Sequence, residues 1–486
     1  MLAILLAPLV VLGPLLQGAW ELWARSLLEL AALAAALLWL CRRIAGGSVP
    51  LPAGGLLSWT VGLALLSAAA AGVSPLPAYA WPSWFAGMAG LGTILAASMM
   101  PSEQRGQFER AIRAAAWLTA LLAVYQHQAF GHSQPASSLV NENAFAGALL
   151  LFLALAASGG DWLLCGLLIL CLAWTRSAGA WLGLAASLLL LRRPGWAWRA
   201  LTAGAGAAAL AIIVLKWGSH DVWSRWLWWQ SAARMAWAHP CSGFGPGTFA
   251  YVSAAYINPS RPLGSLYAHQ YYLETAAEQG IPFLAVWLGG IVFLLRRQDR
   301  GLKHVGLIAV LVQSLWDCSL SFPAIFWLFC YGLGSSLVSQ QRVVCVPVRW
   351  KLPALALAVG LCGWAGWKVF SPWQAERLRI RAAEMVLASQ PLTAAQAVLE
   401  RSSQLCDHPE TARLSGEIEL IQAHRGGGGS RLWSAAADFE HAVAGNPYRA
   451  STWLLLENAY QELGRDDLAQ DARRRAAATS PGFKGS

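Results

Sequence analysis

The first 370 residues alternate between long apolar stretches and short polar or basic connections. Thirteen of the stretches come close to a membrane-spanning length, which is roughly 17 to 25 residues for a helix. Their approximate bounds are 3–20, 26–41, 55–73, 80–100, 113–127, 143–158, 161–175, 178–191, 197–217, 281–295, 303–317, 323–339 and 352–370. We therefore predict an all-α fold over residues 1–370, a polytopic membrane bundle of about 12 or 13 transmembrane helices.

Residues 371–486 have a different pattern, with frequent charges, many alanines and apolar positions at helical spacing. Dipeptides ending in proline recur at Pro409, Pro447 and Pro481, at intervals of 38 and 34 residues. The longer interval contains four extra glycines, 426–429, and without them both intervals are 34 residues. This period resembles that of tetratricopeptide repeats. We predict a second domain of about three antiparallel helix pairs, which would hold an acceptor or a partner protein or pack over an active-site cleft.

Composition agrees with a membrane protein. Hydrophobic residues are 57% of the chain and charged residues 12%, against roughly 45–50% and about 25% in soluble proteins. These figures exclude a soluble globule and a disordered chain. The 9 cysteines form neither a CxxC pair nor a zinc-spaced cluster with histidine. We interpret them as small apolar core residues, with Cys241 and Cys318 near the outer face as one candidate disulfide.

The basic residues predict the orientation in the membrane. With a cytoplasmic N-terminus, fifteen Lys and Arg fall in inner loops, whereas the short outer loops carry only Arg25 and Arg176. An odd number of spans then places the C-terminal domain and the loop 216–280 on the outer side. Because the net charge of +10 is concentrated at the ends of apolar stretches, it does not indicate a nucleic-acid partner. The fifteen inner residues are Arg42, Arg43, Arg105, Arg110, Arg113, Arg192, Arg193, Arg199, Arg296, Arg297, Arg300, Lys303, Arg342, Arg349 and Lys351.

Polar residues crowd three stretches of this outer side, where any chemistry is expected. The first contains Asn141 and Asn143, which are either helix caps or functional groups. The second is the loop 216–280, which begins with a tryptophan-rich segment typical of the membrane surface and continues into a glycine turn at 242–249. The third is a predicted helix from about His269 to Gly280.

These stretches resemble the O-antigen ligase and polymerase superfamily of membrane glycosyltransferases. In that family a segment of the form HPxxGxGPGxF is followed by HNxxLxxxxExGxP, and residues 239–249 and 269–282 match both, except that Gln270 replaces the asparagine. The similarity extends over roughly 138–335. The family's outer arginine usually precedes Gly-Ala-Trp directly, but here Ala178 has that position and Arg176 is two residues earlier. Two residues are about 200° around a helix, so Arg176 can replace it only from a frayed helix end.

The resemblance implies a GT-C-like enzyme of the bacterial inner membrane, active in lipopolysaccharide biosynthesis or a related pathway. It would move a glycan from an undecaprenyl diphosphate carrier to a lipid or protein acceptor on the periplasmic side, where the C-terminal domain would also lie. Since imidazole exchanges protons near neutral pH, His269 would be the general base. Asp317 would orient His269, an arginine or the acceptor, or would be a helix cap or an outer-loop charge. The predicted donor site consists of Arg225, Arg176, Asn141, Asn143, Gly243, Gly245 and Gly247.

The outer loops contain no Asp-x-Asp pair, so we expect a reaction without a metal or other cofactor. Direct attack on the anomeric carbon, with the diphosphate leaving on the opposite side, would invert the configuration, which the resemblance also implies. Arg234 and Glu278 are expected on the far sides of their helices, with Glu278 structural. The leading interpretation is a ligase whose acceptor is lipid A core or a similar lipid. A protein O-oligosaccharyltransferase and a polysaccharide polymerase share its donor chemistry. A non-catalytic membrane scaffold that displays the repeats is the alternative from another class.

Overall fold

The computed structural model of the chain describes residues 2–52, 54–191, 195–216, 220–257, 264–297, 301–337 and 341–479. Arg192, Arg193, Arg300 and Pro481, which entered the predictions of orientation and repeat length, lie outside these residues. The helices are α1 Leu2–Ala7, α2 Leu22–Ala45, α3 Leu56–Gly72, α4 Pro77–Ser98, α5 Ser102–Ala129, α6 Glu142–Ser158, α7 Trp162–Thr175, α8 Ala178–Leu191, α9 Trp196–Lys216, α10 His220–Ala238, α11 Phe249–Val252, α12 Tyr271–Arg297, α13 Lys303–Gln313, α14 Pro323–Ser335, α15 Val348–Leu387, α16 Leu392–Leu405, α17 Pro409–Gln422, α18 Gly428–Gly445, α19 Ala450–Glu462 and α20 Asp466–Thr479.

The predicted all-α, polytopic membrane fold is confirmed. Each of the thirteen apolar segments overlaps a helix. Within the described residues, α2, α9, α12 and α15 are long and apolar enough to cross a membrane, and the further apolar helices are shorter. The first segment is interrupted, because Pro8 and Pro14 divide it into α1 and short π and 3-10 turns. The total number of spans and the orientation of the termini stay predictions.

Two short strands were not predicted. β1, Ser48–Pro52, pairs antiparallel with β2, Gln341–Cys345, in the register Ser48 to Cys345. β1 follows α2, and β2 precedes α15. The start of α15 also contacts the end of α2, since Lys351 Nζ donates to the backbone oxygen of Ala45. Almost 300 residues separate the partners, which is why a local pattern did not reveal them.

Close packing around α13 and α14 fixes the position of the loop that joins them, residues 314–322. A Cβ at Gly183 of α8 would lie 2.2 Å from the backbone oxygen of Ala309, and one at Gly306 would lie 2.8 Å from that of Leu150 in α6. Small residues thus allow α13 to contact both neighbours at backbone distance. α14 packs as closely on α4, where Trp327 Nε1 donates to the Ala86 oxygen at 2.9 Å.

A kink at Gly280 divides α12 into a short first segment and a longer apolar segment. Its backbone has φ 83° and ψ 162°, and a Cβ there would lie 2.3 Å from the Cys241 oxygen. Glycine therefore permits both the conformation and the contact with the turn after α10. Ile281 N donates to the Pro240 oxygen at 2.8 Å, which joins the two segments of the family motif.

The C-terminal region is helical, as predicted, and the domain boundary at 370 stays a prediction that falls inside a helix. α15 runs unbroken through it for 40 residues, from the last apolar segment into the first helix of the tail. Successive helices then pack as pairs, α15 with α16, α17 with α18 and α19 with α20. Phe439 packs against Gly416 in the second pair. Assignment of these pairs to tetratricopeptide repeats stays a prediction.

Candidate active site

Three segments that are distant in sequence meet at His269. α10 contributes Arg225, whose Nη1 donates to the backbone oxygen of Trp316 at 2.5 Å. The same helix contributes Trp228, whose ring stacks on the His269 imidazole with centroids 5.1 Å apart. Trp229 Nε1 donates to the His269 backbone oxygen at 3.2 Å. Arg225 and His269 thus face the same loop between α13 and α14 rather than opposite surfaces.

His269 is held in an unusual backbone conformation. Its φ is 52°, in the left-handed region that costs a non-glycine residue roughly 1–3 kcal/mol. Glu274 stabilises the turn from within α12, because its Oε2 accepts from Ala268 N at 2.7 Å. Its other oxygen accepts from Ser321 Oγ at 2.6 Å, which ties the turn to the loop before α14. Such strain is typical of functional sites, where surrounding contacts compensate for it.

The His269 imidazole faces Asp317. Its Nδ1 lies 3.5 Å from Asp317 Oδ1, and the Asp317 side chain is only 3% exposed against 17% for His269. The same oxygen accepts from Cys318 N at 2.9 Å, and the Asp317 backbone oxygen accepts from Tyr271 N at 3.2 Å. Asp317 therefore faces the imidazole and accepts a backbone N–H within the loop, whereas it caps no helix among the described residues.

Cys318 completes this cluster, and sequence reasoning missed it. The candidate disulfide between Cys241 and Cys318 is absent, since both cysteines are free, Cys318 buried and Cys241 exposed. Cys318 Sγ lies 3.8 Å from His269 Nδ1 and 3.7 Å from Asp317 Oδ1. Burial, and next the charge of Asp317, raises the pKa of its thiol. Among the described residues, His269, Asp317 and Cys318 are the group whose ligand atoms could hold a metal ion.

The glycine turn is organised by Glu278. Gly243, Gly245 and Gly247 have φ values of 63°, 104° and 74°, which only glycine adopts readily. The carboxylate of Glu278 accepts from Gly247 N at 2.8 Å and from Phe249 N at 2.9 Å. Gly245 N donates to the Glu278 backbone oxygen at 2.7 Å, and Gly243 N donates to the His239 oxygen. These three amides have protein acceptors, so the predicted diphosphate role would require them to give up these contacts.

The two asparagines also have structural partners. Asn141 is the N-cap of α6, and its Oδ1 accepts from Asn143 N at 2.9 Å and Ala144 N at 3.0 Å. The capping interpretation of Asn141 is confirmed. The Asn143 backbone oxygen accepts from Gln313 Nε2 at 3.0 Å and Ser319 Oγ at 3.1 Å. Their diphosphate-binding role stays a prediction.

Arg176 lies in a turn rather than in a helix. It follows α7 with φ 50° and ψ 33°, before α8 begins at Ala178, and its side chain is exposed. Arg176 therefore meets the condition set from the sequence, a position at a helix end where no helical rotation separates it from Gly179, and its role in donor binding stays a prediction. The α7–α8 turn is close to the loop that Arg225 contacts, since a Cβ on Gly179 would lie 3.9 Å from Trp316 Cβ.

A cavity of about 570 Å³ lies between the tail and the apolar bundle, and His269, Asp317, Cys318 and Arg225 are not among the residues that line it. It extends to Tyr267 and Glu274, which flank His269 in the chain, and its other side is formed by tail residues. Aromatic rings, carboxylates and guanidinium groups alternate around it: Trp20, Arg25, Tyr79, Tyr251, Tyr267, Glu274, Glu278, Glu376, Arg379, His408, Glu410 and Arg449. Residues of the tail and of the bundle thus line one cavity, and the prediction that the tail packs over an active-site cleft stays a prediction.

Tyr79 at the start of α4 anchors the tail. Its hydroxyl donates to Glu410 Oε1 at 3.2 Å and accepts from Asn446 Nδ2 at 3.5 Å, and its ring meets that of His408 edge to face at 4.8 Å. Burial, together with the positive charge of Arg379, lowers the pKa of His408 to about 3. The tail thus presents a neutral imidazole to the bundle at neutral pH.

Comparison with known families gives one match that covers part of the chain. The O-antigen ligase family model matches residues 163–288, which run from α7 to α12 and include Arg176, Arg225, the glycine turn and His269. No curated protein matches the chain. The match supports the resemblance to the O-antigen ligase and polymerase superfamily: residues 163–288 of this multi-pass membrane protein are similar to the O-antigen ligase domain. The chain is therefore a ligase-like or polymerase-like membrane enzyme.

Proposed function

We propose that this protein transfers a glycan from undecaprenyl diphosphate to an acceptor on the periplasmic face of a bacterial inner membrane. The observation that carries the proposal is the convergence of Arg225, His269 and Asp317 on one loop, within or next to the O-antigen ligase domain. A base that faces a carboxylate can accept the proton of an acceptor hydroxyl. A guanidinium on the same loop can stabilise the negative charge of the departing diphosphate.

In the proposed reaction the oxygen of an acceptor hydroxyl attacks the anomeric carbon of the glycan. The bond from that carbon to the diphosphate oxygen breaks on the opposite face, so the configuration inverts. The hydroxyl proton moves to Nε2 of His269, because Nδ1 faces Asp317 at 3.5 Å. The Asp317 carboxylate then stabilises the imidazolium, while the carrier leaves as undecaprenyl diphosphate.

In this proposal the guanidinium groups supply the positive charge at the diphosphate that a divalent metal ion would otherwise supply. An arginine has five N–H donors, of which Arg225 uses one on the Trp316 oxygen. Its charge is permanent and its forked geometry suits phosphate oxygens. Arg176 extends from a turn close to the same loop and would add a second such group. The proposed reaction needs no divalent metal.

We further propose that the cavity under the tail receives the saccharide part of a substrate and that the leading acceptor is lipid A core or a similar lipid. Aromatic rings beside carboxylates, such as Tyr79 with Glu410, are groups that can stack on and hydrogen-bond to sugars. A protein acceptor and a growing polysaccharide chain remain alternatives, because all three share the donor chemistry.

The test is transfer by the purified protein from a carrier-linked glycan to candidate acceptors, with EDTA present. His269→Ala should lower the rate about 10²–10⁴-fold, and Arg225→Ala about 10²–10³-fold. Arg234→Ala is the matched control, since it is on the same helix but donates to the Tyr256 oxygen, and should stay within about threefold.

Full activity of His269→Ala would overturn the base assignment. No transfer to any acceptor would favour the scaffold, which also requires that deletion of the tail is more severe than His269→Ala. The products separate the other candidates: ligase loss leaves long glycan on the carrier, polymerase loss leaves single repeat units on the lipid, and loss of a protein oligosaccharyltransferase leaves a secreted protein unglycosylated.

A further inference from the structure

We propose that His269, Asp317 and Cys318 form a zinc site, and that zinc bound there inhibits the enzyme. The site follows from the three side chains alone. The inhibition rests on the proposed function, in which Nε2 of His269 accepts a proton. The two statements are therefore tested separately.

The three ligand atoms have the spacing of one face of a tetrahedron. His269 Nδ1 and Asp317 Oδ1 are 3.5 Å apart, and Cys318 Sγ lies 3.8 Å from the nitrogen and 3.7 Å from the oxygen. In a tetrahedral zinc site with ordinary bond lengths, such atoms are about 3.3–3.6 Å apart. Each needs to move only a few tenths of an ångström, and a water would complete the coordination.

The surroundings already orient these ligands. Cys318 N donates to Asp317 Oδ1 at 2.9 Å, which fixes the carboxylate. Trp228 stacks on the imidazole, and Trp229 holds the backbone of His269. Contacts of this kind around the ligands strengthen metal binding.

The donor set favours zinc over magnesium or calcium. One imidazole and one thiolate are soft or intermediate ligands, which magnesium and calcium bind weakly. On binding, the thiol proton is released to water, and the thiolate and carboxylate together balance the charge of Zn²⁺. The cysteine is buried, so a small ion reaches it more readily than a bulky thiol reagent does.

Zinc at Nδ1 changes what the opposite nitrogen can do. A neutral imidazole has one lone pair and one N–H, so coordination through Nδ1 puts the proton on Nε2. Nε2 then donates a hydrogen bond and cannot take the proton of an acceptor hydroxyl. Zinc should therefore lower kcat and leave the KM for the lipid-linked donor nearly unchanged.

The first experiment measures metal alone. The full-length protein in detergent is freed of metal with a chelator, titrated with ZnCl2 and assayed for bound zinc, and titrated in parallel with CoCl2 for a thiolate-to-cobalt charge-transfer absorption. We expect one equivalent of zinc and the absorption in the wild type. Cys318→Ala should lose the absorption and bind zinc at least tenfold more weakly.

Cys241→Ala is the matched control, because it removes an exposed cysteine outside the cluster and should bind as the wild type does. The cobalt spectrum of the wild type requires no variant, so a misfolded Cys318→Ala does not obscure the result. Absence of the absorption in the wild type, or its persistence in Cys318→Ala, would overturn the site.

The second experiment measures transfer with and without ZnCl2, each variant compared with its own zinc-free rate. The wild type and Cys241→Ala should be inhibited at least tenfold and recover with EDTA, whereas Cys318→Ala should be inhibited at least tenfold less strongly. Zinc that binds without inhibiting, or activity that is lost with EDTA, would overturn inhibition. If His269→Ala retains full transfer, the proposed base fails, while cysteine-dependent zinc binding still stands.

Discussion

Acid should loosen the start of α17 from the bundle, because His408 is buried there as a neutral base. Its Nδ1 accepts from Glu410 N at 3.2 Å as the N-cap of the helix, and its ring meets Tyr79. Protonation removes that acceptor and adds a positive charge to a buried position close to Arg379; burial, and next this neighbouring charge, lowers the pKa of His408 to about 3. In an opened state the histidine regains its ordinary value of 6.5.

The direction in which pH changes the stability of the closed state follows from proton uptake by His408. Between pH 6.5 and pH 3 the opened state binds more protons than the closed state, so the closed state is fully stable above pH 6.5 and loses stability as the pH falls. From pH 8 to pH 5 the loss is about 2 kcal/mol, or about 30-fold in the opening equilibrium. Burial alone would raise the pKa of Glu410, but Arg449 and Arg413 hold it below its usual 4.5. That carboxylate therefore stays ionised at pH 5.

Hydrogen–deuterium exchange of residues 409–422 at pH 8 and pH 5, corrected for intrinsic exchange, measures this opening. Wild-type exchange should accelerate about 30-fold at pH 5. His408→Asn keeps a capping side chain without the titrating group, so its exchange should change less than about threefold. Equal acceleration in both proteins would refute the reasoning.

Three further outcomes are expected. Asp317→Asn should lower kcat about 10²–10⁴-fold with little change in donor KM, because the amide no longer orients and stabilises His269; an unchanged rate would refute this. Glu278→Gln should lower the free energy of unfolding by about 1–3 kcal/mol, seen as a lower Tm, because an NH2 group replaces one of the two oxygens that accept from backbone amides. Gly243→Ala, with φ 63° and a Cβ 2.3 Å from the carbonyl carbon of Glu278, should cost about 2–4 kcal/mol, whereas Gly264→Ala, with open space, should leave Tm unchanged.

The prediction of Arg225, His269 and Asp317 as a group came from a motif, and the contacts that join them lie between segments about 40 to 90 residues apart. No local pattern gives such contacts. Cys318 illustrates the limit, since it follows Asp317 directly, yet its position beside the imidazole depends on how α13 and α14 pack.

Glu278 illustrates the same limit for the glycine turn. The spacing of glycines indicated a backbone that could approach an anion, and the turn does bind one, but that anion is the Glu278 carboxylate from 31 residues along the chain. Spacing reports the conformation that a segment can adopt, whereas the identity of its acceptor depends on the neighbouring helix.

The sequence alone determined the helical membrane character, the positions of the apolar helices and the glycine conformations, because hydrophobic length and backbone sterics are local properties. Only the tertiary structure decided that α15 continues through residue 370, that Tyr79 and Glu410 join the bundle to the tail over a cavity, and that Cys318 lies beside His269. These features arise from packing between residues remote in sequence, where the free energy depends on the shape and charge of both partners rather than on either segment alone.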